Sequence, residues 1–151
     1  HFILDKKNNL EQYNKIFEKK KIVIIQSLWH NKFLDPMVQN IKKELINNGI
    51  LISNIEIYYV PGAWEIPFKI SQIDNKNCDA IICCNFFQTN NESNFLLNAV
   101  SNKLMDLQIK KQIPILYFLT HGDKHELSYE EKNDERVNDL VYSTLYMLLK
   151  L

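Results

Sequence analysis

Tyr58-Tyr59-Val60-Pro61-Gly62-Ala63-Trp64-Glu65-Ile66-Pro67 is the stretch on which the reading of this chain turns. Before its centre, Ile55, Ile57 and Tyr59 alternate with Glu56 and Tyr58, the period-two signature of a strand. After it, Ile66, Ile70 and Ile73 recur at helical spacing. Pro61-Gly62 between them is the strongest turn signal in the sequence. Pro61 fixes its own φ and pushes Val60 towards extended geometry, while Gly62 lets the backbone approach something bulky. Trp64 and Glu65 therefore fall between the C-terminal end of a strand and the start of a helix, where open α/β sheets bind ligands. A purely structural strand-to-helix corner is the alternative.

Working outward, Ile22-Val23-Ile24-Ile25 is a continuous branched run, as in a strand buried on both faces. Asp35-Pro36 reads as an N-cap followed by proline at the first helical position. Met37, Val38, Ile41 and Leu45 then form an apolar stripe, and Gly49 supplies the stop. The second strand is expected over residues 52–59, with its following helix to about residue 73. A turn over 74–77 leads to a third strand over 79–84. A polar loop over 90–94, a helix over 93–107 and a fourth strand over 113–119 follow. Residues 120–123 read as a loop and 130–149 as the last helix, which buries Val137, Val141, Leu145 and Leu148. This alternation predicts an α/β fold: a three-layer α-β-α arrangement around a four-stranded parallel sheet, flavodoxin-like, with right-handed crossovers. Residues 21–151 form the domain, and residues 1–20 a polar N-terminal arm. The arm reads as a solvated leader, with a short amphipathic helix through Leu10, Tyr13, Ile16 and Phe17 as the alternative.

A chain of 151 residues, 46% hydrophobic, suits one domain with a sizeable core. Eighteen basic residues balance eighteen acidic ones, so bulk charge points neither to nucleic acid nor to an anionic membrane. No apolar run approaches transmembrane length. Cys78, Cys83 and Cys84 lack CxxC spacing and read as buried thiols in a reducing compartment, cytoplasmic or organellar. Neither a metal nor a cofactor is expected.

The C-terminal strand ends collect Trp29-His30, Pro61 to Glu65, Asn85 to Asn94 and Tyr117 to His121. A flat ligand could stack on Trp29, with Trp64 and Glu65 on its polar tail; rim packing is the alternative use of such aromatics. Here the motif Val60-Pro61-Gly62-Ala63-Trp64-Glu65-Ile66-Pro67 resembles the hallmark of the 6,7-dimethyl-8-ribityllumazine synthases of riboflavin biosynthesis. The resemblance extends over about residues 21–149. It implies that Trp29 stacks on a pyrimidine ring, with His30 where the family usually has asparagine. It implies that Gly62, Ala63, Trp64 and Glu65 hold a ribityl chain. Either Tyr117 or Phe118 would face the ring, since one residue is missing there relative to the family.

The same resemblance exposes departures. The family's phosphate loop and histidine fall at Asn90, Glu92 and Asn94, where glycine, threonine and histidine would stand. A phosphate-gripping arginine falls at Ser128, a lysine at Arg136 and a glutamate at Asp139. Phosphate calls for free N–H groups, a hydroxyl and positive charge, none of which Glu92 offers. The proton transfers near neutral pH suit histidine, and Asn94 does not titrate there; His30, His121 or His125 could substitute from neighbouring loops. The implied function is condensation of 5-amino-6-ribitylaminouracil with 3,4-dihydroxy-2-butanone 4-phosphate by a transferase with an eroded phosphate half-site. The alternative is a catalytically weak or inactive oligomer of the same fold, acting as a ring-ligand binder or shell scaffold. Family members assemble as pentamers, some closing into icosahedral shells, with active sites between subunits. The resemblance thus implies a second copy of the chain as partner, with Trp29, Trp64 and Glu65 meeting across that contact.

Overall fold

Ile22-Val23-Ile24-Ile25 is buried at every position because it forms the first four residues of β1 (Ile22–Ser27), an inner strand covered on both faces. In the computed structural model, which describes residues 10–88, 90–122 and 134–150, β1 pairs on one side with β2 (Ile55–Val60). On its other side lies β3 (Ala80–Gln88), followed by β4 (Ile115–Gly122). The order is β2-β1-β3-β4 and every pairing is parallel, with Ile24 opposite both Ile57 and Ile82.

Successive β1 side chains point to opposite faces. Ile22 and Ile24 enter a core shared with α2 (Asn31–Asn47) and α5 (Asp134–Leu148). Val23 and Ile25 enter a second core, shared with α3 (Ile66–Ser71) and α4 (Asn91–Lys111). The three layers and four parallel strands are those the sequence predicts. Among the described residues, no helix is long and apolar enough to cross a membrane.

Several boundaries differ from expectation. Helix α2 begins at Asn31, so Asp35 and Pro36 lie inside it rather than at its start. The N–H groups of Phe33 and Leu34 both donate to the His30 carbonyl at 3.0 Å, and both side chains are buried. Burying two such residues stabilises by about 1.5–3 kcal/mol each, which offsets the roughly 3 kcal/mol that an interior proline costs. Asp35 instead accepts a hydrogen bond from Gln26 Nε2 at 2.6 Å. The predicted stop holds: Gly49 has φ 111°, and the N–H groups of Gly49 and Ile50 reach back to the carbonyls of Ile46 and Leu45 at 3.1 Å.

Residues Ile52–Asn54 form a 3-10 turn, not strand. β3 and β4 each run three or more residues beyond the predicted ends, because Phe86, Phe87 and Gln88 pair with Thr120, His121 and Gly122. Helix α4 starts at Asn91, two residues before the expected start at 93: Asn90 caps it by accepting from the Ser93 N–H at 2.8 Å. The arm is not a solvated leader over its described part. A 3-10 turn (Glu11–Tyr13) and α1 (Asn14–Phe17) bury Leu10 and Phe17 in the α2–α5 core.

Candidate active site

β1 is followed by a crossover to β2 on one side, and β3 by a crossover to β4 on the other. The loops leaving β1 and β3 therefore part company, and the crevice between them is the topological switch point where such sheets bind ligands. A cleft of about 390 Å³ lies there. Trp29, His30, Gly62, Ala63, Trp64 and Glu65 line it, together with Asn90 and Glu92 from the α4 cap and first turn.

Local hydrogen bonds build its first wall. The Leu28 N–H donates to the Val60 carbonyl at 2.8 Å, and the Trp29 N–H to the Pro61 carbonyl at 3.4 Å. The β1–β2 pairing is thus carried two residues past the strands, bringing the Trp29 indole against Gly62. A Cβ on Gly62 would stand 3.7 Å from Trp29 Cε3 and 3.6 Å from Glu65 Oε2. The Glu65 carboxylate accepts from the Gly62 N–H at 3.1 Å, and the Glu65 N–H donates to the Gly62 carbonyl at 3.3 Å. The turn is therefore closed by the side chain that the family resemblance assigns to the ligand. Trp29 and Trp64 are 71% and 69% exposed, so neither indole is spent on the core.

The opposite wall comes from β3 and α4. His30 adopts φ 64°, a left-handed conformation in which histidine is enriched, and precedes α2. Its ring centroid lies 5.1 Å from that of Phe86, which in turn meets Phe33 at 5.2 Å. Burial lowers the His30 pKa below the ordinary 6.5. Beneath the cleft, Ser27 Oγ donates to Asn85 Oδ1 at 2.5 Å, and Asn85 Nδ2 donates to the Phe86 carbonyl at 3.2 Å. Asn85, Phe86, Phe87 and Gln88, which the sequence gathers at the strand ends without a role for each, also line the cleft, as does Leu96, which sequence reasoning had placed on the α4 core stripe. The signal was a polar residue, Asn85, directly after the apolar run Ile81-Ile82-Cys83-Cys84.

The remaining predicted residues lie elsewhere. Asn94 is exposed on the first turn of α4 and does not line the cleft. Tyr117, Phe118 and Arg136 line a separate cleft of about 380 Å³ between β4 and α5, with Asp139 and Ser143. There the Arg136 guanidinium stacks 4.6 Å above the Phe118 ring, which is buried, whereas Tyr117 is exposed. Ser128 and His125 are outside the described residues, as is the side chain of His121. Among the described residues, no group of three or more His, Cys, Asp or Glu is arranged to hold a metal. Trp29, Trp64 and Glu65 meet within one chain, which corrects the expectation that a subunit contact is needed to join them.

Size alone does not mark the site. A cleft of about 480 Å³ at the start of β1, beside Lys21, Tyr58 and Lys69, contains none of the predicted residues. Cys78, Cys83 and Cys84 are buried free thiols. Burial pushes Cys78 up to about 11 and raises the other two as well.

Comparison with known proteins bears on this geometry. The family described as 6,7-dimethyl-8-ribityllumazine synthase matches residues 19–148. The 6,7-dimethyl-8-ribityllumazine synthase 2 of Rhodopseudomonas palustris is 24% identical over 104 residues, covering 68% of this chain and 58% of that protein. The synthase of Xanthomonas campestris pv. campestris is 28% identical over 99 residues, 64% of each. The chain thus spans about three-fifths of the length of these curated relatives. Among solved structures, rubredoxin oxygen:oxidoreductase from Desulfovibrio gigas overlaps 93% of this chain and 39% of its own at TM-score 0.45 and 8% identity, too slight a likeness to bear on function. With the match running from before β1 to the end of α5, the chain belongs to the 6,7-dimethyl-8-ribityllumazine synthase family.

Proposed function

We propose that the chain condenses 5-amino-6-ribitylaminouracil with 3,4-dihydroxy-2-butanone 4-phosphate, a transferase reaction of riboflavin biosynthesis. The observation that carries this reading is the convergence of Trp29 with the Gly62–Glu65 turn on one crevice at the switch point. An exposed indole offers a stacking face for a pyrimidine, and the turn offers polar groups to a hydroxylated tail. The amine of the pyrimidine adds to the ketone and loses water, phosphate is eliminated, and a second loss of water closes the ring. Holding both partners side by side accelerates such a condensation even where acid–base help is modest.

In the oligomer that the family resemblance implies, the β4–α5 cleft of one copy, with Tyr117, Phe118 and Arg136, would close the Trp29 cleft of the next. Purified protein is mixed with both substrates and lumazine absorbance is followed. A rate above the spontaneous condensation supports the enzyme, and equality with it removes that reading. The second reading, a ring-ligand binder or shell scaffold without turnover, is favoured by Glu92 in the cleft and by the absence of Asn94 from its lining. Ring binding by calorimetry, without turnover, would select it.

A further inference from the structure

We infer that His30 is the proton carrier of the condensation: its imidazole takes protons from the attacking nitrogen and delivers them to the oxygen that leaves as water. The inference rests on the enzyme reading above and names the group that moves protons there. Among the described residues, the titratable side chains lining the Trp29 cleft are His30, Glu65 and Glu92. Glu65 already accepts from the Gly62 N–H at 3.1 Å, and Glu92 lies in the exposed first turn of α4. Imidazole is the side chain whose ordinary pKa lies near neutrality, which suits a group that must both take and give a proton.

The placement of His30 leaves its ring available. Its carbonyl accepts the N–H groups of Phe33 and Leu34 at 3.0 Å, so its backbone is committed to the start of α2. Its half-buried ring rests 5.1 Å from the buried Phe86 ring, and among the described residues no side-chain hydrogen bond occupies its nitrogens. The charged side chains on the elements around it are Lys32 and Asp35 on α2, Glu65 in the turn and Glu92 on α4. Burial, rather than any of these charges, lowers its pKa, so the resting ring is neutral, with one nitrogen to accept and one to donate.

The proton balance closes on this residue. When the pyrimidine's amine adds to the ketone, a C–N bond forms, the nitrogen gains positive charge and the oxygen negative. The imidazole takes one proton from that nitrogen and passes it to the oxygen, making a hydroxyl. Repeating the transfer turns the hydroxyl into water, which leaves with the C–O electron pair as the C=N bond forms. Both amine protons end in that water, and His30 ends neutral.

The left-handed backbone selects the variants, since asparagine and glycine both accept φ 64°. Asparagine still holds a ligand by hydrogen bonds but carries no proton, and glycine leaves room for free imidazole. Turnover of the two substrates is measured between about pH 5 and 8, with the spontaneous rate subtracted and folding checked by circular dichroism. In wild type, kcat should rise through the window below pH 6.5 and level off above it. In His30→Asn, kcat at neutral pH should fall at least about tenfold while KM for the pyrimidine stays within about threefold. The rise due to His30 should vanish with it, whereas any limb from the phosphate ester's own titration persists in both proteins. Added imidazole should raise the rate of His30→Gly about threefold or more and leave wild type unchanged. A kcat in His30→Asn within about twofold of wild type overturns the inference. So does a loss confined to KM, or a fall in kcat that leaves the whole pH profile in place. A wild-type rate equal to the spontaneous one instead removes the enzyme reading, and the inference with it.

Discussion

The Trp29 indole lies against Gly62 so closely that a Cβ added there would stand 3.7 Å from Cε3. Gly62 has an extended φ of −155°, which any residue adopts, so neither backbone strain nor a clash demands glycine at this position. The contact sets the Cε3–Cζ3 edge of an otherwise exposed indole against the turn, in the lining of the cleft. Trp29→Ala should therefore weaken a ring ligand by about 1 kcal/mol or more, the usual scale of aromatic stacking. Because Trp29 is exposed, stability should stay within about 0.5 kcal/mol of wild type. Calorimetric titration paired with urea unfolding separates the two quantities, and unchanged affinity would make Trp29 a rim residue.

Glu65 has a structural task that its replacement by glutamine preserves. Glu65→Ala leaves the Gly62 N–H without its acceptor and should cost about 1 kcal/mol. Glu65→Gln keeps an oxygen in the same place and should cost far less. Equal destabilisation by both would show that charge, not the 3.1 Å hydrogen bond, holds the turn. Thermal unfolding of the two variants side by side gives the answer.

The buried pair beneath the cleft gives a larger effect. Ser27→Ala removes the donor to Asn85 Oδ1 and leaves that oxygen in the interior without it. A loss of about 1–3 kcal/mol is expected from such an orphaned acceptor. A loss below about 0.5 kcal/mol would mean that Asn85 finds another donor.

His30 links stability to pH. Its pKa is lowered by burial, so between that lowered value and 6.5 the unfolded chain binds more protons than the folded one. The stabilisation from keeping His30 neutral is complete above pH 6.5 and falls away as pH drops through that window. Unfolding temperature should thus decline more steeply below pH 6.5 in wild type than in His30→Asn. Parallel pH profiles of the two proteins would contradict this.

The thiols should be silent in the native protein. Burial raises all three pKa values, so iodoacetamide at pH 8 should label none of Cys78, Cys83 and Cys84 until denaturant is added. Mass spectrometry before and after unfolding reads the result directly. Rapid native labelling of any of them would show local opening of β3 or of the turn before it.

Strand centres were legible because their signal is self-contained. Ile22 to Ile25 and Ile81 to Cys84 are apolar without interruption, since both faces of each strand are buried. The α2 stripe of Met37, Val38, Ile41 and Leu45 was equally plain. Boundaries failed where distant partners outvote local chemistry. Asp35-Pro36 looks like a helix start, yet Phe33 and Leu34 have core space waiting for them and pull the start forward. Polar Asn85 looks like a strand end, yet its partner Ser27, 58 residues earlier, absorbs it into β3. Leu10 and Phe17 sit among so many polar residues that their stripe reads as weak. The Pro61–Glu65 turn was readable because five consecutive residues make it. The β3 and α4 wall was not, because its residues come together only when the sheet is assembled.

The Ser27–Asn85 hydrogen bond joins the ends of two paired strands, β1 and β3, whose following loops part at the crevice, much as a keystone joins the halves of an arch. Substitutions above it, such as those at His30, Asn90 and Glu92, can therefore accumulate without the sheet parting underneath. That gives a lineage room to trade one bound chemistry for another while the architecture persists.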